Sequence, residues 1–246
     1  MSGVEIALIL AVSIGVSLGA LGSGGSIVTV PVLVYAAGIQ PKTAVAMSLA
    51  IVGATSVVAS FFHFRRGNFH NRAAVVFCGA GIVGAYFGSM STHLIPSRAL
   101  MLLFAALMLI VGSSMLRPST ILRERREFHI GRGLAVGLLV GVLTGFLGVG
   151  GGFLIVPALV FTSGLDTKEA IGTSRAIIAF NSASGLIGQL RYVHVDWTLT
   201  LEFLGSSLVG MAAGVAVANR LPEPALRRVF ACALLTIGAV IGWKSV

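Results

Sequence analysis

Arg175 stands in Thr173-Ser174-Arg175, about two turns into an otherwise apolar run of roughly 169–190. A guanidinium facing lipid at that depth costs about 2.5 kcal/mol or more, so it should face the protein interior or water. Its planar fork carries parallel N–H groups that match two oxygens of a carboxylate, sulfonate or sulfite. The competing reading is a structural arginine that snorkels or braces a helix.

Two glycine clusters offer a second kind of donor. They are Gly22-Ser23-Gly24-Gly25-Ser26 and Gly148-Val149-Gly150-Gly151-Gly152. Glycine tolerates positive φ, so such clusters break a helix. A broken helix within a membrane is tolerated only where protein or a watery cavity covers it. The helix that restarts at Ser26 or Gly152 aims its unpaired N–H groups at the break, which favours an anion. The candidate backbone positions are therefore Gly22, Gly24, Gly25, Ser26, Gly148, Gly150, Gly151 and Gly152. Close helix packing is the plainer use of the same glycines.

Small polar side chains supply the rest. Thr43, Ser48, Thr55 and Ser56 line one run, and Thr173, Ser174, Asn181, Ser182 and Ser184 another. Ser48, Thr173, Ser174 and Asn181 are the candidates for solute contact. Such groups serve equally well to bond helix to helix.

Other chemistries find no residues. No Gly-Lys-Ser/Thr follows either cluster, which argues against a nucleotide loop. Cys78 and Cys232 fall inside apolar runs, and His63, His70, His93, His129 and His194 lack the i, i+4 spacing of a helical metal pair. Glu202 is read as interfacial. No catalytic residue, metal ligand or cofactor is expected, and an enzyme is disfavoured for want of a reactive pair.

The elements that hold these groups follow from composition. Of 246 residues, 56% are hydrophobic and 10% charged. Soluble domains carry about 25% charged residues, so most of this surface must face lipid. Apart from Arg175, the cations behind the net charge of +9 gather between or at the ends of apolar runs, as at Arg65-Arg66, Arg117 to Arg132 and Arg220 to Arg228. That pattern marks membrane loops rather than a nucleic-acid surface. The expected partners are a small anionic solute and the lipid bilayer, with no nucleic acid; a homodimer is left open. Met1 to Glu5 carries no basic segment, so the first run is read as a retained span.

Apolar runs fall at about 4–21, 26–37, 43–64, 73–92, 98–116, 130–147, 152–163, 169–190, 198–218 and 225–243. Crossing a bilayer takes about 20 residues, so 26–37 and 152–163 read as half-crossing or re-entrant. The chain also repeats. A shift of 126 places Leu21-Gly22-Ser23-Gly24-Gly25 on Leu147-Gly148-Val149-Gly150-Gly151 and Val30-Pro31 on Val156-Pro157. The fold expected is an all-α integral membrane protein. It has two homologous repeats of about four helices each, with Gly-rich broken or re-entrant helices at the centre. The first repeat is 1–120, a polar basic linker 121–132, and the second repeat 133–246. If each Gly-containing pair is a hairpin, the repeats are inverted, and 12 Lys/Arg face inside against 4 outside. Parallel repeats give ten against six. The positive-inside rule favours inversion.

The glycine clusters, each followed by a proline, and Gly172-Thr173-Ser174 resemble the sulfite exporter TauE/SafE family of membrane permeases. The resemblance covers nearly the whole chain. It implies a permease for sulfite, sulfonates or related sulfur-containing or carboxylate anions in the cytoplasmic (inner) membrane. The first half departs from the pattern, with Ser23 and Ser26 against Val149 and Gly152, and Ala46-Met47-Ser48 against Gly172-Thr173-Ser174. Export is the expected direction, and an anion channel or a structural assembly protein is the alternative.

Overall fold

Lipid leaves the backbone no partner but itself, and the described residues answer with helices. The computed structural model describes residues 9, 11–16, 19, 24–65, 69–116, 129–218 and 223–245. Gly22 and most of the expected linker lie outside the described residues. Residues 11–16 are helical. A 3-10 turn, Gly24–Val28, then leads into α1 (Thr29–Tyr35). Next come α2 (Pro41–Arg65), α3 (Asn71–Ser91) and α4 (Ser97–Leu116). The second part holds α5 (Ile130–Leu147), α6 (Gly152–Ser163), α7 (Thr167–Gln189), α8 (Trp197–Ala218) and α9 (Glu223–Ser245). No strand occurs among the described residues.

Local chemistry sets the ends. Pro41 opens α2 at the first helical position, where a missing N–H costs nothing. His70 caps α3 through Nδ1, which accepts from the Ala73 N–H at 3.2 Å. Gly164 closes α6 at φ 60°, and Gly38, its match in the first half, has φ 69°. α6 therefore stops on a left-handed glycine, whereas α1 ends at Tyr35 on a right-handed Ala36 cap and the left-handed glycine follows in the connection.

Five helices among the described residues are long and apolar enough to cross a membrane: α2 to α5 and α8. The segments Ser26–Tyr35 and Gly152–Ser163 are apolar but short, as the run lengths predict. α7 has 23 residues yet is not among the apolar spans. It carries Lys168, Glu169 and Arg175, and it packs against α2, α3, α5 and α6. Arg175, Asn181, Ser182 and Gln189 are buried among these neighbouring helices rather than facing lipid. Phe61, Phe87, Phe161, Phe180 and Leu201 are exposed, as a lipid-facing surface requires.

Glycine contacts set the helix pairs. A Cβ on Gly84 would meet the backbone of Leu138 and one on Gly88 that of Val142, while Gly141 and Gly145 are as close to Gly81 and Ala85. So α3 and α5 touch backbone to backbone and run in the same direction. The set recurs 126 positions away in both partners: Gly210 meets Val12, Gly214 meets Val16, Gly15 meets Ser207 and Gly19 meets Met211. The tightest packing thus joins one part of the chain to the other, twice.

α4 and α9 pack the other way round. Gly112 lies against Ala231 and Leu235, and Gly238 against Ala105 and Leu109. A rising number on one helix meets a falling number on the other, so their chains are antiparallel. α2 and α7 are antiparallel too, since Leu49 meets Gly185 and Gly53 meets Ser182.

Candidate functional site

The second glycine cluster is a broken helix. α5 ends on Gly148 at φ 70°, Gly150 and Gly151 follow at 70° and 69°, and α6 starts at Gly152. Three left-handed residues in four explain why glycine is needed here. All are buried, as is Gly152. Gly150 sits between Val52 of α2 and Ile178 of α7, and Gly151 faces the Thr144 hydroxyl. Leu154 and Ile155 N–H bond the Gly151 carbonyl at 2.9 and 2.8 Å, which leaves the N–H groups of Gly152 and Phe153, at the junction, without a partner in the helix.

The first cluster takes another shape. Gly24 and Gly25 begin the 3-10 turn, whose φ values are negative, so the two breaks differ in conformation. Ser26 is buried, and the turn touches α6. The two breaks therefore approach each other inside the bundle.

Arg175 lies eight residues into α7 and is 3% exposed. No Asp or Glu among the described residues is buried. Asn181 is 1% exposed, and its amide rests against Gly81, where a Cβ would come within 2.5 Å of Oδ1. Neither amide atom of Asn181 has a hydrogen-bond partner.

The other candidates have local duties. Ser48 Oγ donates to the Gly148 carbonyl at 2.7 Å and ties α2 to the break. Thr173 Oγ1 accepts from the His70 N–H at 3.0 Å, holding the α2–α3 connection to α7. Ser174 Oγ donates to the Ile171 carbonyl at 2.8 Å. The structure thus gathers Gly148 to Gly152, Ser48 and the middle of α7, but it engages three of the four hydroxyls and amides with protein.

Several polar groups outside the candidate set are buried with a polar atom unpartnered: Thr29, Ser56, Thr144, Ser182 and Gln189. Gln189 follows Ser182 by seven residues, a spacing visible in the sequence. A hollow of about 320 Å³ opens on one face, lined by Val34, Tyr35, Pro41, Ser97, Arg98, Met101 and Lys244. Lys244 Nζ lies 5.4 Å from the centre of the Tyr35 ring. The hollow puts the end of α1, the starts of α2 and α4 and the end of α9 on the same face.

A bundle of apolar helices around a buried arginine and two broken segments defines a polytopic membrane transporter. The chain belongs to the sulfite exporter TauE/SafE family, whose model matches residues 7–241. A probable membrane transporter protein of Xylella fastidiosa (strain 9a5c) is 36% identical, covering 94% of this chain and 92% of the relative. The probable membrane transporter protein YdhB of Bacillus subtilis (strain 168) is 27% identical, covering 87% and 90%. No solved structure matches. Family and relatives are transporters rather than enzymes.

Proposed function

We propose that this permease exports a small oxyanion, such as sulfite, a sulfonate or a short carboxylate, across the cytoplasmic membrane. The observation that carries the reading is Arg175, a cation 3% exposed in the middle of the bundle beside the Gly148 to Gly152 break and the helix that bears Asn181. A buried cation of this kind gives an entering anion the charge and the paired N–H groups that replace its water. Gly150, Gly151 and Gly152 add backbone donors, and Asn181 adds its amide. The names of the family and its relatives fit transport and leave the solute open.

We further propose that the two halves are inverted repeats. Support comes from the reciprocal contacts: position i meets j in the other half, and the repeat mates of both meet again. The repeat mates α4 and α9 run antiparallel, as do α2 and α7. This arrangement puts Lys42, Arg98, Arg191 and Lys244 on the outer face and the remaining loop cations inside. The solute site would then lie between the breaks, as in other transporters built from inverted repeats.

Flux into liposomes holding the purified protein tests the function. Sulfite, sulfate, thiosulfate, taurine, sulfoacetate and short carboxylates form the panel. Saturable uptake of one of them supports a permease. Unsaturated current points to a channel, and no flux for any of them to a structural protein.

A further inference from the structure

Several buried hydroxyls in this bundle act as glue between helices. Ser48 bonds Gly148, Ser184 Oγ bonds the Ile82 carbonyl at 2.7 Å, and Thr92 Oγ1 bonds the Phe146 carbonyl at 2.8 Å. A second group does not. Ser56 Oγ, Ser182 Oγ, both amide atoms of Asn181 and Gln189 Nε2 are enclosed and make no hydrogen bond to protein. These residues are at most 1% exposed. Leaving a buried donor or acceptor unpaired costs about 1–3 kcal/mol, so a cluster of them calls for something to bind.

The cluster is ordered. Arg175, Ser182 and Gln189 are seven residues apart in turn, which keeps them within about 20° of one line on α7. Steps of seven residues rise about 10 Å each, so the line covers most of the apolar thickness. All three are buried. Ser182 lies where α2 crosses α7: a Cβ on Gly53 would come within 3.1 Å of the Ser182 Cβ. Ser56 stands one turn on from Gly53 and is the repeat mate of Ser182. The corresponding line on α2 reads Leu49, Ser56, His63, so the arginine end exists only on α7.

We infer that the anion moves along this line of α7, from Arg175 past Ser182 to Gln189, with Ser56 facing it from α2 and Asn181 flanking it on the α3 side. The inference rests on the reading of the chain as an anion permease and assigns the route within it. Arg175 attracts the charge at one end. The neutral hydroxyls and amides then hand the oxygens from donor to donor without holding them as a fixed counter-ion would. Gln189 lies at the far end of α7, next to the 190–193 turn, where Tyr192 stacks on His93 at 3.9 Å.

The route is testable without knowing the solute. In a Cys78→Ala, Cys232→Ala background, single cysteines replace Ser182, Gln189, Ser56 and the lipid-exposed Ile187. Each is treated, in liposomes, with anionic 2-sulfonatoethyl and cationic 2-trimethylammonioethyl methanethiosulfonate, and rates are divided by those for a free thiol. A route of this kind favours the sulfonate by at least roughly tenfold at Ser182→Cys and Gln189→Cys and leaves Ile187→Cys unlabelled. Ser56→Cys is read in the same way if Ser182→Cys fails to insert. Inert cysteines at all three buried positions, or equal rates with the two reagents, overturn the route. The flux panel is run on the wild-type protein in parallel. If it carries no anion, the functional reading falls, while the labelling still judges the route.

Discussion

Ser48 Oγ lies 2.7 Å from the carbonyl oxygen of Gly148 and donates to it across 100 positions of sequence. The bond holds the α5–α6 break against α2. A helix end enclosed in a bundle has carbonyls with no helical partner, and this hydroxyl satisfies one of them.

Ser48→Ala should therefore lose about 1–3 kcal/mol, because the Gly148 carbonyl is left buried and unpaired. Thermal unfolding in detergent measures this. Ser174→Ala is the control: its hydroxyl bonds only the Ile171 carbonyl one turn back. Its unfolding midpoint should move less than that of Ser48→Ala. Equal shifts would mean the long-range bond does not anchor the break.

Glycines in this chain should divide by what surrounds them. Gly84 admits the Leu138 backbone, whereas nothing lies within 4 Å of a Cβ on Gly79 or Gly205. Gly79→Ala and Gly205→Ala should stabilise by roughly 0.5–1 kcal/mol, since alanine is the better helix former. Gly84→Ala should destabilise by about 1–3 kcal/mol, because α3 and α5 must separate. A stable Gly84→Ala protein would contradict the backbone contact.

Much of the architecture was legible in the sequence because lipid restricts the choices. Length and apolarity place α2 to α5 and α8, and the short runs give the α1 and α6 segments. The roles of single polar groups were not legible. Thr173 holds the His70 N–H and Ser48 the Gly148 carbonyl. Each partner lies about a hundred residues off, so periodicity says nothing about it. The glycine breaks read alike in sequence, yet one is a 3-10 turn and the other a run of left-handed residues. Gln189 escaped notice because a glutamine at a helix end reads as interfacial until its burial is seen.

The inverted arrangement predicts sidedness. Cysteines replacing Arg98 and Arg227 should label from opposite sides of the membrane with an impermeant thiol reagent. Labelling of both from one side would restore the parallel arrangement and undo the assignment of the outer face.

Energetics should follow the membrane potential. No Asp or Glu among the described residues is buried, so a carboxylate proton relay has no residues there. An inside-negative potential drives each exported negative charge by about 2.3 kcal/mol per 100 mV. Efflux of the transported anion should rise with an imposed potassium-diffusion potential. Efflux that ignores the potential and tracks a pH gradient would show obligatory proton coupling instead.

Arg175 carries the largest prediction. It is 3% exposed, and the residue 126 positions earlier is Leu49, so under the proposed repeat the fold does not demand a cation there. An anion passing it exchanges water for charged N–H groups worth about 1.5–3 kcal/mol each. Arg175→Ala should cut flux by roughly tenfold or more, since losing even one such bond costs that much. Arg175→Lys keeps the charge but loses the planar fork, so it should retain part of the flux with a weaker apparent affinity. Gly151→Val, at φ 69° and facing Thr144, should stop transport by closing the break itself. Protein in the membrane is quantified for each variant, and flux is given per molecule. A well-inserted Arg175→Ala protein with wild-type flux would make Arg175 a brace between helices and leave the anion to the backbone and amide donors.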